Sequence, residues 1–193
     1  MGRLDTAYSE NGEVGDVYLT RAEIAARVGE LGQEISRAYE ALDPILVAPL
    51  KSSVVFLADL TRALSIPHTL DVIELAPYTD GQDGGVRLLK DADSALDGRH
   101  VLLVEDVVDT GLTLHFLCRT LGLRNPASLA AVTLLDRPYR RLVDELPLRF
   151  IGFTVPDELF AGYGLGLEER WRALPDLHLV SSIALPSAAT EAA

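Results

Sequence analysis

The sequence contains a single cysteine, Cys118, among its 193 residues. One thiol cannot form an internal disulfide, so the fold cannot depend on a disulfide framework. Because Cys118 lies in an apolar pattern of helical spacing, we interpret it as a packing residue and not as a reactive thiol.

Long hydrophobic runs are missing as well. No apolar stretch approaches the roughly 20 residues of a membrane-spanning helix. Residues 1–16 are polar and acidic, and they lack the apolar core of a signal peptide. These absences predict a cytoplasmic protein that does not use a membrane as a partner.

Basic residues are scarce, with 17 Lys and Arg against 29 Asp and Glu and a net charge of −12. A general nucleic-acid binder needs a basic face, so we expect no nucleic-acid partner. An anionic small molecule is still compatible with this charge, because backbone N–H groups can hold a phosphate inside an acidic protein. Magnesium can also bridge acidic side chains to phosphates.

The hydrophobic pattern predicts strands that alternate with helices. Strands are predicted at 45–48, 69–75, 86–89, 101–105, 129–135 and 150–155, and helices at 20–39, 53–64 and 113–121. A capping box of Thr20 and Glu23 marks the start of the first helix. The alternation predicts an α/β fold with an open, mainly parallel sheet flanked by helices on both faces.

The chain length suits one domain with a sizeable core. We expect residues 1–16 to be a flexible N-terminus, residues 17–183 to form the domain, and residues 184–193 to be a disordered tail. Residues 76–85 are turn-formers throughout, so they are predicted to form a mobile loop or a hairpin. Ligands of such folds bind beyond the carboxyl ends of the strands.

The most specific motif follows the apolar strand that begins at Val101. Two acids, Glu105 and Asp106, come where this strand is predicted to end, and the segment 109–113 (Asp-Thr-Gly-Leu-Thr) leads into a helix. A loop at a helix N-terminus presents free N–H groups and a partial positive charge to a phosphate. The two carboxylates can accept vicinal sugar hydroxyls, directly or through a hydrated metal. No Walker lysine follows Gly111, so the loop is not the nucleotide P-loop.

The segment 101–113 resembles the phosphoribosyl-pyrophosphate signature of the type I phosphoribosyltransferases. The flanking segments are similar to the hypoxanthine-guanine phosphoribosyltransferase family in particular, and they follow the family's order over about residues 17–180. These segments are Leu-Lys at 50–51, Phe-Leu-Ala-Asp-Leu at 56–60, Leu-Leu-Asp-Arg-Pro at 134–138, Val-Pro-Asp at 155–157, Gly-Tyr-Gly-Leu at 162–165 and Trp-Arg-Ala-Leu-Pro at 171–175.

The resemblance implies the type I phosphoribosyltransferase fold, with a mobile active-site loop that includes Tyr78 and a small C-terminal hood. It also implies transfer of the 5-phosphoribosyl group from phosphoribosyl pyrophosphate to a purine or purine-like base, with Mg2+ as cofactor. The products are a nucleoside monophosphate and pyrophosphate. Family members usually form homodimers or homotetramers, so the resemblance implies the same here.

The resemblance also implies residue roles. Glu105 and Asp106 would bind the ribose hydroxyls and the metal, and Asp109 would be the acid/base group. Asp109 would also belong to the loop that binds the 5′-phosphate. Together with Glu105 and Asp106, the residues implied to bind phosphoribosyl pyrophosphate are Asp109, Thr110, Gly111, Leu112, Thr113, Lys51, Ser52 and Arg172. The residues implied to bind the base are Arg137, Leu159 and Phe160.

Several positions depart from the family pattern. Ser52 replaces a glycine, which predicts backbone strain in the pyrophosphate loop. Arg137 replaces the base-reading lysine, and Leu159 replaces the aromatic residue that stacks on the purine, a task that Phe160 could take over. Gly166 replaces an aspartate that contacts magnesium and pyrophosphate. The departures leave two interpretations: an enzyme that uses hypoxanthine, guanine, a modified purine or a deazapurine, or a catalytically weakened protein that senses nucleotides.

Overall fold

The computed structural model describes residues 14–77, 86–166 and 170–180. In chain order its elements are β1 (Val14–Leu19), α1 (Arg21–Ala38), β2 (Ile45–Leu50), α2 (Val54–Ala63), β3 (Thr69–Pro77), β4 (Val86–Lys90), β5 (His100–Val108), α3 (Leu112–Gly122), β6 (Ser128–Asp136), a 3-10 helix (Pro138–Arg140), β7 (Leu148–Thr154), β8 (Leu159–Ala161) and β9 (Leu177–Val180). Every predicted helix and strand is present, with ends that differ from the predicted ones by at most three residues.

Six strands form the large sheet, in the order β4-β3-β2-β5-β6-β7. Neighbours from β3 to β7 are parallel, and β4 at one edge is antiparallel to β3. Side chains alternate along the buried strands, so that Leu46 and Leu102 pack with α1 and α2 while Val47 and Leu103 pack with α3. Helices therefore cover both faces, and the predicted α/β architecture is confirmed.

The first helix begins as its sequence predicts. The Thr20 backbone N–H donates to Glu23 Oε2 at 2.8 Å, and the Glu23 N–H donates to Thr20 Oγ1 at 3.3 Å, which completes the capping box. The apolar stripe of α1 is buried in the core together with α2. The two helices approach closely at Gly32, where an added Cβ would lie 2.5 Å from the Ala63 carbonyl oxygen.

A second sheet was not predicted from the sequence. It has the order β1-β9-β8, with both pairs antiparallel, and we call it the small sheet. Its strand β1 begins at Val14, three residues before the expected domain start at residue 17, because Val14 pairs with Val180. Strands β8 and β9 have only 3 and 4 residues, too few for a period-2 pattern to be recognised.

Strands β3 and β4 pair as the two arms of a hairpin would, with Pro77 opposite Val86. The predicted loop residue Tyr78 and the rest of residues 78–85 lie outside the described residues, as do residues 1–13 and the expected tail at 184–193. None of the described helices combines the length and the apolar character that crossing a membrane requires. The cytoplasmic location stays a prediction from the sequence.

The contact between α1 and α2 can be tested with two glycines of the same helix. We expect Gly32→Ala to lower the free energy of unfolding by about 1–3 kcal/mol, because the added methyl group would overlap backbone that cannot easily move. Gly29→Ala is the matched control, since nothing lies within 4 Å of a Cβ at that position. We expect the control to raise the free energy of unfolding by about 0.5–1 kcal/mol. Urea unfolding measures both, and equal effects would contradict the close approach at Gly32.

Candidate active site

A cavity of about 310 Å³ lies beyond the carboxyl ends of β2, β3 and β5. Strand pairing explains its position, because β5 pairs with β2 only as far as Leu103 but stays paired with β6 as far as Val108. The cleft is therefore located where one neighbour of β5 is absent. The predicted site residues that line it are Ser52, Glu105, Asp106, Asp109, Thr110, Gly111 and Thr113.

Glu105 and Asp106 lie within β5 and not after it, since the strand continues to Val108. Both are buried, with exposed fractions of 5% and 6%. Asp106 Oδ1 accepts a hydrogen bond from the Ser53 hydroxyl at 3.2 Å, while Glu105 Oε1 has no hydrogen-bond partner among the described residues. Glu105 thus lines the cavity with one buried carboxyl oxygen that has no partner among the described residues.

Burial controls the protonation of this pair. It raises the pKa of Glu105 well above its usual range, and the neighbouring Asp106 charge raises it further. Burial also raises the pKa of Asp106, although hydrogen bonds from the Ser52 and Ser53 hydroxyls work in the opposite direction. Removing two carboxylates from water is unfavourable unless donors or a cation replace the lost hydration. The pair is therefore suited to hydroxyl groups or to a hydrated metal ion.

The loop from Asp109 to Gly111 leads directly into α3. Gly111 has φ +82°, a backbone conformation that favours glycine, and a Cβ there would lie 2.8 Å from Leu146 Cδ1. The Leu142 N–H also donates to the Thr110 carbonyl oxygen at 2.9 Å. Residues 141–146 therefore support the loop from the side opposite the cavity. At the start of α3 the Leu112 N–H donates to Thr110 Oγ1 at 3.3 Å, and the N–H groups of a helix start are of the kind that can bind an anion.

The segment after β2 carries Lys51 and Ser52, with a cis peptide bond between Leu50 and Lys51. Ser52 is not among the described residues with positive φ, so its backbone does not adopt the conformation that favours glycine. Lys51 is exposed, and its neighbours Leu50 and Ser52 both line the cavity. Gly164 packs against this segment, where an added Cβ would lie 2.4 Å from the Ser52 carbonyl oxygen.

Arg172 lies outside the cavity lining. Its Nη1 donates to the Gly164 carbonyl oxygen at 2.9 Å. A Cβ at Gly166 would lie 2.7 Å from both the Arg170 carbonyl oxygen and Arg172 Cγ. The family aspartate could not occupy position 166 unless Arg172 moved.

Arg137, directly after β6, is buried with 6% exposure and lies between two carboxylates. Its Nη1 lies 3.3 Å from Asp109 Oδ2, and its Nη2 lies 2.6 Å from Asp157 Oδ1. Arg140 also donates to Asp157 Oδ1. The hydrogen bond from Arg140, with a further one from Arg137, lowers the pKa of Asp157. Asp109 Oδ1 is buried and has no hydrogen-bond partner among the described residues.

The two candidate stacking residues point in different directions, because neighbouring side chains of a strand alternate. Leu159 is 42% exposed, whereas Phe160 is 9% exposed and belongs to the core. The centroid of the Phe160 ring lies 4.9 Å from that of Tyr18. The expectation that Phe160 could stack on a base is therefore wrong for this conformation, since its ring packs in the core.

Sequence reasoning missed two parts of the site. Asp157 was assigned no role, although the Val-Pro-Asp turn that contains it had been noted. The support of Gly111 by residues 141–146 was also missed, since those residues follow no regular pattern. The one signal in the sequence for a role of Asp157 was Arg137, which directly follows a buried strand, because a buried charge needs a partner.

Comparison with known proteins agrees with this geometry. The family model described as phosphoribosyl transferase domain matches residues 15–157. A hypoxanthine phosphoribosyltransferase of Salmonella typhimurium is 43% identical over 164 residues, which is 83% of this chain and 92% of that protein. A hypoxanthine-guanine phosphoribosyltransferase of Mycobacterium tuberculosis is 40% identical over 177 residues, which is 88% of this chain and 87% of that protein.

Solved structures give the same result. The crystal structure of a hypoxanthine-guanine phosphoribosyltransferase from Bacillus anthracis superposes with a TM-score of 0.82 at 39% identity, covering 88% of this chain and 99% of that one. That of a hypoxanthine phosphoribosyltransferase from Staphylococcus aureus has a TM-score of 0.84 at 31% identity, covering 90% of this chain and 95% of that one. The chain therefore belongs to the type I phosphoribosyltransferases, as a member of the hypoxanthine-guanine phosphoribosyltransferase family.

Proposed function

We propose that this protein transfers the 5-phosphoribosyl group from phosphoribosyl pyrophosphate to a purine or purine-like base. The observation that supports the proposal best is the position of Asp109. It lines the same cavity as Glu105 and Asp106, and its carboxylate lies 3.3 Å from Arg137. A sugar bound to the two acids would thus have an acid/base group and a base-reading cation at its reactive end.

Each part of the sugar phosphate has a matching part of the cavity. Glu105 and Asp106 accept hydrogen bonds from the two ribose hydroxyls, as acceptor-only carboxylates can. The N–H groups of residues 109–113 hold the 5′-phosphate at the start of α3. The pyrophosphate is assigned to the Lys51–Ser52 segment. Gly164 packs against this segment, and Arg172 donates to the Gly164 carbonyl oxygen.

The reaction replaces one bond of the anomeric carbon with another. A ring nitrogen of the base forms the new C–N bond as the C–O bond to pyrophosphate breaks, and the leaving oxygen keeps the bonding electrons. Asp109 accepts the proton that the base loses, since its side chain is 34% exposed and lines the cavity. The carboxylates also stabilise the positive charge that develops on the sugar.

The donor atoms at the cavity fit a magnesium ion. Magnesium is usually held by one or two carboxylates together with substrate phosphates and waters. Glu105 and Asp106 supply two carboxylates, and Glu105 Oε1 is buried without a hydrogen-bond partner within the described ranges. No cluster of three or more potential ligands occurs among the described residues, so substrate phosphates would complete the coordination. When bound, the ion would neutralise charge on the leaving pyrophosphate.

Hypoxanthine and guanine are the simplest bases for this site, because a guanidinium donates to a carbonyl oxygen as an ammonium does. Leu159 leaves more room than an aromatic residue would, and the forked guanidinium of Arg137 could donate to a second acceptor. A modified purine or a deazapurine is therefore also proposed. A nucleotide sensor without activity is not favoured, since the relatives are named as phosphoribosyltransferases and Asp109 is retained. A homodimer or homotetramer is also proposed, by resemblance to the family.

The sugar-binding role predicts opposite effects on binding and stability. Glu105→Gln combined with Asp106→Asn should weaken binding of phosphoribosyl pyrophosphate at least about a hundredfold, because each hydrogen bond to a charged group contributes about 1.5–3 kcal/mol. Thermal stability should stay equal or rise, since neutral amides replace two buried carboxyl groups whose charged forms burial disfavours. Calorimetry measures both quantities, with the exposed Glu40→Gln as control. Unchanged affinity in the folded double variant would contradict the assignment.

The acid/base role of Asp109 predicts a loss of chemistry with retained binding. Asp109→Asn keeps the shape of the side chain but removes the proton acceptor, so turnover should fall about a hundredfold to ten-thousandfold. The assay follows pyrophosphate release from phosphoribosyl pyrophosphate with hypoxanthine and guanine. Affinity for the nucleoside monophosphate should change little. Wild-type turnover in the variant would refute the role, and a wild-type protein inactive with every base tested would refute the proposed function.

The missing aromatic residue predicts a gain of activity. Leu159→Phe should raise kcat/KM for hypoxanthine about twofold to tenfold, because stacking of an aromatic pair contributes about 0.5–1.5 kcal/mol. Leu123→Phe is the control, since Leu123 is 89% exposed and lies just past α3, away from the cavity. Steady-state kinetics with varied base would measure both. No difference between the two variants would mean that Leu159 does not face the base.

A further inference from the structure

Arg137 is not part of the cavity lining, but its guanidinium contacts Asp109, which is. We propose that Asp157 is a positioning residue of the base site, which fixes the Arg137 guanidinium so that Nη1 faces Asp109 while Nη2 is held at 2.6 Å. The inference rests on the proposed function and deepens it, since it identifies what orients the base-reading side chain.

The two ends of this contact are fixed by separate backbone hydrogen bonds. The Arg137 N–H donates to the Val108 carbonyl oxygen at 3.0 Å, which ties Arg137 to the end of β5. The Val155 N–H donates to the Asp136 carbonyl oxygen at 2.9 Å, which ties the turn carrying Asp157 to the end of β6. The backbone at Arg137 and the turn that carries Asp157 are therefore both anchored to the large sheet.

Charge and burial make the contact asymmetric. The Arg137 side chain is 8% exposed, whereas those of Asp157 and Arg140 are 47% and 50% exposed. A buried cation depends strongly on its partners, while a half-exposed carboxylate can use water instead. Removing Asp157 should therefore affect Arg137 far more than it affects the surface around Asp157.

The forked shape of arginine gives Asp157 this role. A guanidinium can donate to two carboxylates at once in a fixed plane, whereas the ammonium of a lysine is a single charged point. With Nη2 held by Asp157, rotation of the guanidinium away from Asp109 is restricted. Without Asp157, Nη1 would lose its fixed direction, and Arg137 would be free to pair with Asp109 through either nitrogen.

The test compares two ligands that differ only in the base. Asp157→Asn should weaken binding of inosine 5′-monophosphate about fivefold to tenfold, because a neutral amide replaces the charged acceptor of Arg137 Nη2, and leave binding of ribose 5-phosphate unchanged. Calorimetry measures both dissociation constants. Glu158→Gln is the matched control, because it removes an adjacent exposed carboxylate that has no ion pair among the described residues. Asp157→Glu keeps the charge and should restore part of the affinity.

A double-mutant cycle separates positioning from a direct contact with the ligand. In an Arg137→Met background, Asp157→Asn should have no further effect on inosine 5′-monophosphate, because Asp157 would act only through Arg137. If Asp157→Asn leaves the ratio of the two dissociation constants unchanged, either because neither changes or because both rise equally, the inference is overturned. The ratio does not depend on turnover, so an inactive wild-type protein would refute the proposed function without deciding this result.

Discussion

Two adjacent carboxylates in the middle of a buried strand set the main constraint on this protein. Glu105 and Asp106 are 5% and 6% exposed, and Glu105 has one oxygen without a hydrogen-bond partner among the described residues. Burial raises the pKa of each, which means that the folded protein without ligand disfavours their charged forms. The arrangement is unfavourable for stability and becomes favourable only when hydroxyl groups or a metal ion supply the missing partners.

The surrounding structure maintains this arrangement. Strand β2 separates from β5 after Leu103, so the carboxylates face a cleft instead of a neighbouring strand. The Ser53 hydroxyl at the start of α2 satisfies one oxygen of Asp106. Gly111 lets the chain turn directly into α3, with residues 141–146 packed behind it. Strand ends, a helix start and one connecting segment thus meet around the same cavity, as is usual for parallel sheets.

Local patterns made most of the fold predictable, together with the placement of Glu105, Asp106 and the 109–113 loop at the end of β5. The capping box, the apolar stripe of α1 and the apolar run of β5 each depend on residues close in sequence. The small sheet could not be predicted, because β1 and β9 pair residues more than 150 positions apart in strands too short to show periodicity. The Arg137–Asp157 ion pair likewise depends on two turns that only the folded sheet brings together. Phe160 was misassigned because alternation in a three-residue strand, which directs its ring into the core, was not recognised.

A crystal structure of the protein with a nucleoside 5′-monophosphate would test the account most directly. It predicts the ribose hydroxyls within hydrogen-bond distance of Glu105 and Asp106, the phosphate at the N–H groups of residues 109–113, and the base between Asp109 and Leu159 with Arg137 at its edge. A nucleotide bound elsewhere, or bound in this cavity with its ribose away from the two carboxylates, would contradict it.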